Sequence, residues 1–226
     1  MTRILTSWSW TADPEAPLRW PDPERRVVLV EPDLFEGALD ARQVHASRIV
    51  AQVEGRCAVF VEPTRTPDQL GRTGRILDGI VPALLARTQA DLDAGLPDLL
   101  AVRGAHRALL LEPTETMSLP LNISDCILDA DGHCIGEAVI DWVLVRGTDQ
   151  PLHPGWVRSI RDECAAAGVP FAFLSWGSWI PTDRQSSDGV PTGWVRAHNR
   201  IGCRLDGREH MDSPWGPLGV DDGGGP

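Results

Sequence analysis

Three short runs share one pattern: VVLVEP at 27–32, AVFVEP at 58–63 and ALLLEP at 108–113, each four apolar residues followed by Glu-Pro. A strand with one wet face alternates apolar and polar residues. A run that is apolar at every position suits a strand covered on both faces, as in a parallel sheet. Three further runs fit the same description: Ala83–Arg87, Trp142–Arg146 and Phe171–Ser175. Strand starts are then 25 to 34 residues apart.

Helical patterns fill most of the gaps. Leu39 to Val53 places Val44, Ile49, Val50 and Val53 on one face, with Gly55 as a stop. Thr66-Pro67-Asp68 reads as an N-cap with Pro at the first helical position, and Leu70, Thr73, Leu77 and Ile80 mark the face that follows. Gln89 to Val102 is a weaker helix that Pro97 should kink or restart. Pro154 to Ala167 is the clearest, with Val157, Ile160, Cys164 and Ala167 in steps of three and four, ended by Gly168. Between Glu112 and Trp142 no helix is evident, and Asp131-Gly132 reads as a hairpin turn.

Strands alternating with helices predict an α/β chain with a mainly parallel sheet and right-handed crossovers. Six strands fit a partial (β/α) barrel or an open doubly wound sheet. We expect one α/β domain over 1–214 and a disordered tail over 215–226, the stretch that runs from Trp215 to the ending GVDDGGGP.

In both architectures ligands bind at the carboxyl ends of the strands. Glu31, Glu62 and Glu112 close three of these runs, and Pro32, Pro63 and Pro113 should stop each strand there. Carboxylates at ~8 Å in an effective dielectric of ~20 repel by about 2 kcal/mol per pair. Such a cluster must be partly protonated, paired with Arg, or occupied by a cation. Arg87 and Arg146, which end the two other strands of the central series, are the natural partners. Two readings follow: an Arg–Glu network closing the top of the sheet, or a site for a cation or polar ligand.

Composition narrows the chemistry. All 21 basic residues are Arg, and Tyr is absent. A Schiff-base lysine and a tyrosine acid or nucleophile are therefore excluded. The formal net charge of −11 argues against a partner with a nucleic-acid backbone. No apolar run approaches the ~20 residues that cross a bilayer, and the N-terminal MTRILTSWSW lacks the pattern of a signal peptide, so a cytoplasmic protein is expected. Five irregularly spaced cysteines, Cys57, Cys126, Cys134, Cys164 and Cys203, do not form a disulfide framework.

Other motifs carry less. Cys126 and Cys134 are not at zinc-ligand spacing. Asp129-x-Asp131-Gly132 opens like a calcium loop but has Ile140 where the twelfth-position Glu belongs. Cys164 falls on a helix core face. His153 precedes a helix at the rim and reads as a cap residue or a site residue. Trp176 and Trp179 follow the last strand, where they either stack on a planar ligand or cap the end of the sheet. No phosphate-cradling glycine loop is present.

The run IDWVLVRGTDQPLHPGWVRSIRDECAAAGVPFAFLSWGSW at 140–179 resembles a phage and prophage family of unknown function that carries a radical-SAM-like three-cysteine motif. Members have a strand, a glycine turn, a Leu-His-Pro or Met-His-Pro helix start, an Arg-Asp-x-Cys helix and a Phe-rich strand ending in Trp-Gly-x-Trp. Here these are Trp142–Val145, Gly147, His153-Pro154, Arg161–Cys164 and Phe171–Trp179. The stretches 86–113 and 17–35 match the family's spacing, and RLDGREH at 204–210 resembles its closing Leu-Asp-Gly-Arg, so the likeness covers most of the chain.

The resemblance implies a radical-SAM-like partial barrel with an iron–sulfur cluster, but this chain has no Cys before Cys57. The segment that would carry the thiolate ligands is missing. Ala197-His198-Asn199 stands where the family has Gly-Lys-Lys, and Arg146-Gly147-Thr148 where it has Gly-Gly-Glu. The expectation is therefore a shortened, cluster-free relative that binds or regulates rather than catalyses. Its rim would be Glu31, Glu62, Arg87, Glu112, Arg146, His153 and Trp176, with a small ligand or a partner protein as occupant. No cofactor is expected. The alternatives are an enzyme using a divalent metal on the rim carboxylates for hydrolysis or transfer, and a protein–protein module docking through exposed Trp residues.

Overall fold

The structure is a computed structural model. It describes residues 5–8, 12–19, 26–30, 41–53, 58–64, 80–102, 106–119, 121, 125–128, 134–182, 193–196 and 203–216. Seven strands form one sheet in the order β1 (Leu5–Trp8), β2 (Arg26–Val30), β3 (Ala58–Thr64), β4 (Ile80–Ala86), β5 (Ala108–Leu111), β8 (Trp142–Arg146) and β9 (Phe171–Ser175). Every neighbouring pair is parallel. The six apolar runs are all strands of this sheet, and β1 is an addition that the sequence did not signal. The expected hairpin between β5 and β8 is present as the antiparallel pair β6 (Asp125–Leu128) and β7 (Cys134–Ala138). Its turn residues lie outside the described residues, as does the helix expected from Thr66. Ile80, assigned to that helix, instead opens β4.

Helices α1 (Ala41–Val53), α2 (Gln89–Ala101) and α3 (Pro154–Ala167) match the sequence periodicity. The kink or restart expected at Pro97 does not divide α2, which runs through it as one helix. Its start is fixed strongly: the Thr88 hydroxyl accepts from the Asp91 N–H while the Asp91 carboxylate accepts from the Thr88 N–H, a reciprocal cap. Helix α3 has Pro154 at its first turn, and Gly168 ends it in the left-handed region at φ 71°.

The described helices all pack on one face of the sheet. One row of strand residues packs under the helices: Val28, Val30 and Ile80 against α1, and Leu84, Leu109, Val143, Val145 and Phe173 with the buried faces of α2 and α3. The alternate row, including Val27, Leu29, Val61, Ala83, Leu110, Trp142, Leu144 and Leu174, packs strand against strand, joined by Met211 and by no helical residue. A doubly wound sheet has helices on both faces and reverses its strand order. Among the described residues this sheet does neither.

Pro63 does not end its strand. β3 continues to Thr64, paired with β4 through Pro63–Ala83 and Thr64–Leu84, although pairing with β2 ends at Val61. One missing donor is tolerated where one neighbour has already left the ladder.

The chain's end closes the β9 edge. The Phe173 N–H donates to the His210 carbonyl and the Asp212 N–H to the Phe171 carbonyl, so residues 210–212 run antiparallel beside β9. Trp215, expected to begin a loose tail, sits edge-on to Trp142 and His106. Just upstream, β10 (Arg204–Leu205) and β11 (Arg208–Glu209) form a hairpin turned by Asp206 at φ 54° and Gly207 at φ 76°.

Asp206 ties this hairpin to α3 through Arg158 and Arg161. These contacts explain the Leu-Asp-Gly-Arg motif as a clamp. The hydrogen bond from Arg158, then that from Arg161, outweighs partial burial and holds the Asp206 carboxyl below the ordinary aspartate range. Its stabilising contribution is present above that range and is lost as pH falls through the depressed value. Asp206→Asn should flatten the acid limb of a stability–pH profile measured by urea unfolding; an unchanged acid limb would show that the clamp contributes nothing.

Candidate functional site

Glu112 follows β5 directly, Arg146 ends β8, and Arg87 follows β4. Each continues its strand's inward-facing row by one step, after Leu110, Leu144 and Leu85. The three therefore meet at the carboxyl end of the sheet, over the strand-lined face. Arg87 places Nε at 2.8 Å and Nη2 at 2.7 Å from Glu112 Oε2. Arg146 places Nε at 2.7 Å and Nη2 at 2.5 Å from Oε1. The Glu112 side chain is 2% exposed, against 26% for Arg146 and 45% for Arg87. One carboxylate thus faces two guanidiniums, and the cluster carries a formal charge of +1.

The loop after β5 is held from several sides. The Glu112 N–H donates to the Ala86 carbonyl and the Thr114 N–H to the Arg87 carbonyl. The Gln89 N–H donates to Glu115, the Ser118 N–H to Gln89 Oε1, and the Leu119 N–H to Glu163 on α3. Across from it, β8 and β9 stay joined beyond their last paired residues: the Gly147 N–H donates to the Ser175 carbonyl and the Ser178 N–H to the Thr148 carbonyl, both at 2.7 Å. Between the two loops lies a cleft of about 240 Å³. Arg146, Glu112, Thr114, Thr148 and Gln150 form its polar lining, and Pro113, Pro151, Leu152 and Trp156 its apolar walls.

The other expected rim residues that the structure describes do not join this cluster. Glu31 lies outside the described residues. Glu62 aligns with Pro82, whereas Glu112 follows the Ala86–Leu111 pair at the level of Arg87. That is five residues further along β4, about 16 Å at 3.3 Å per residue. The stagger of the strands, invisible in the repeated Glu-Pro, separates the two. His153 is the N-cap of α3, its Nδ1 accepting from the Gly155 N–H at 3.1 Å. Trp176 is buried rather than open to a ligand: it packs edge-on to Phe173 and donates from Nε1 to the Arg204 carbonyl. Trp179 donates to the Asp149 carbonyl. Thr114, Gln150 and Trp156 were not singled out by the sequence. Their positions just past strand ends, and in the first turn of α3, are the signal that would have found them.

Neither Cys164 nor Cys203 has the environment of a cluster ligand. Cys164 is fully buried on α3, and burial, reinforced by Glu163, pushes its thiol up to about 12. A cluster ligand must be a thiolate. Cys203 is half-buried and its thiol is also raised, chiefly by burial. Among the described residues no group of three His, Cys, Asp or Glu side chains is placed to hold a metal ion. Cys164 should resist alkylation in the native protein and label fully in denaturant. Peptide mapping by mass spectrometry checks this, and native labelling at the rate of a free thiol would contradict the burial.

Fold and site together define an α/β protein with a parallel sheet and, at the carboxyl ends of its strands, a cleft edged by the Arg87–Glu112–Arg146 triad. The chain belongs to the DUF5131 family, described as proteins of unknown function, whose family model matches residues 6–214. No curated protein and no solved structure matches it. Among the described residues no helix is long and apolar enough to cross a membrane.

Proposed function

We propose that this chain is a partial (β/α) barrel of radical-SAM-like ancestry that works without a cluster, as a binding or regulatory protein whose ligand occupies the cleft beside Arg146. The engagement of Glu112 by two arginines carries this reading. A metal-assisted hydrolase would need that carboxylate for a cation or a proton, yet both of its oxygens face guanidinium groups and the local charge is +1. The same pairs hold Arg146 in a fixed orientation, which favours recognition over chemistry. The likeness to phage and prophage sequences is consistent with a role in a mobile element.

Two measurements test the proposal. After anaerobic incubation with iron and sulfide, and with dithionite added as electron donor, the protein should not cleave S-adenosylmethionine to 5′-deoxyadenosine; product formation above a no-protein control would overturn the cluster-free reading. Mg²⁺, Mn²⁺ and Zn²⁺ should not raise the unfolding temperature. A saturable rise that Glu112→Gln abolishes would place a cation at the rim and revive the hydrolase.

A further inference from the structure

The geometry points to a small anionic ligand with a flat apolar body, its carboxylate or phosphate oxygens on Arg146 and its body along Trp156, Pro151 and Leu152. This inference rests on the binding reading above and narrows it to a chemical class. Arg146 commits the Nε–Nη2 edge of its guanidinium to Glu112. Guanidinium carries five N–H donors in a fixed fork, so the end bearing Nη1 and the second Nη2 hydrogen remains. Nη1 has no partner among the described residues, and Arg146 both lines the cleft and is 26% exposed. That end suits two oxygens of one oxyanion.

The electrostatics agree. Glu112 is shared between Arg146, which lines the cleft, and Arg87 behind it, so the triad at the cleft's edge keeps a formal charge of +1 in a chain of net −11. A monoanion brings the cluster to neutrality, whereas a cation meets repulsion within a few ångströms.

Size and lining fix the rest of the ligand. At ~30 Å³ per water the cleft holds about eight waters, room for a substituted ring but not for a dinucleotide. Trp156 lines it in the first turn of α3, with its ring centroid 5.5 Å from that of the capping His153. A tryptophan face beside two prolines takes a planar apolar group better than a polyol. Thr148 and Gln150, neighbours in the same loop, add polar groups beside the anion site. Because the rim loops are already held by the bonds to Glu115, Gln89 and Glu163, little ordering remains when a ligand enters.

Four probes with one ring test the class: benzoate, phenyl phosphate, neutral benzamide and cationic benzamidinium, titrated against the full chain by saturation-transfer NMR and calorimetry. Both anions should bind and compete with each other, with benzamide at least tenfold weaker and benzamidinium weakest. Tighter phenyl phosphate assigns a phosphorylated ligand and tighter benzoate a carboxylic acid; either order supports the proposal.

Arg146→Gln should remove the preference for the anions. Arg146→Lys keeps the charge that Glu112 needs, guarding against loss of fold, and should weaken anion binding by a smaller factor because the fork is gone. Three results would overturn the inference: benzamide binding as tightly as benzoate, no anion binding at millimolar concentration, or anion binding untouched in Arg146→Gln. In the first case the cleft still binds a ligand and only the anionic class falls. S-adenosylmethionine cleavage or metal stabilisation would instead remove the binding reading itself.

Discussion

Glu112→Ala should lower the unfolding free energy by about 3 kcal/mol, a large fraction of a typical domain's stability. Glu112 has almost no exposed side chain, and its oxygens accept from two guanidiniums. Removing it leaves two cations facing each other across a partly enclosed space. Arg87 recovers some hydration because it is nearly half exposed, so the loss should fall toward the lower end of the range for a broken buried pair. Glu112→Gln preserves the shape and some hydrogen bonding but removes the charge, and should cost about half as much. Urea unfolding with an unchanged m-value checks both. A loss below about 0.5 kcal/mol for Glu112→Ala would place the triad among surface ion pairs of negligible weight.

Gly147→Ala should be at least as damaging, by about 3 kcal/mol or more. An added Cβ would overlap the Trp176 carbonyl and crowd the Gly177 nitrogen, both backbone atoms that no rotamer change can move. Gly177 faces the same constraint in return: its Cβ would overlap the Thr148 carbonyl, and its φ of 74° is already strained for other residues. The two glycines let β8 and β9 continue side by side past their ladder and carry Thr148 to the cleft wall. The substitution should therefore affect ligand binding as well as stability. Gly168→Ala provides a contrast, because it meets nothing within 4 Å and its cost is only that of a left-handed φ of 71°. Equal losses at 147 and 168 would show that close backbone approach is not the cause.

The sheet was legible because burial on both faces forces apolar residues into consecutive positions, and six such runs stand out. β1 was missed because LTSW is only four positions long and has two adjacent polar residues at its centre. Helix α3 was legible to the residue because Pro154 and Gly168 mark both ends chemically. Helix α2 was less so: Pro97 removes a donor from its interior, yet the Thr88–Asp91 cap and the packing of Leu92, Leu96 and Leu99 hold it as one element.

The site was half legible. The pairing of Glu112 with Arg87 and Arg146 follows from strand ends in adjacent parallel strands. The separation of Glu62 from Glu112 does not, because register is a property of the ladder and leaves no mark on a single strand. Trp176 and Trp179 carried no sign of whether they faced a ligand or the core. Burial against Phe173 decides it for Trp176, whereas Trp179 stays half-buried with its Nε1 on the Asp149 carbonyl.

The most direct test of the account is a double-mutant cycle between Glu112 and Arg146, using Glu112→Gln and Arg146→Gln singly and together, read by urea unfolding. If one carboxylate joins the strand ends into a unit of net positive charge, the two losses should fall short of additivity by about 1–3 kcal/mol. Additive losses within about 0.3 kcal/mol would mean that the pair is not coupled, and the cationic triad at the cleft's edge would lose its foundation.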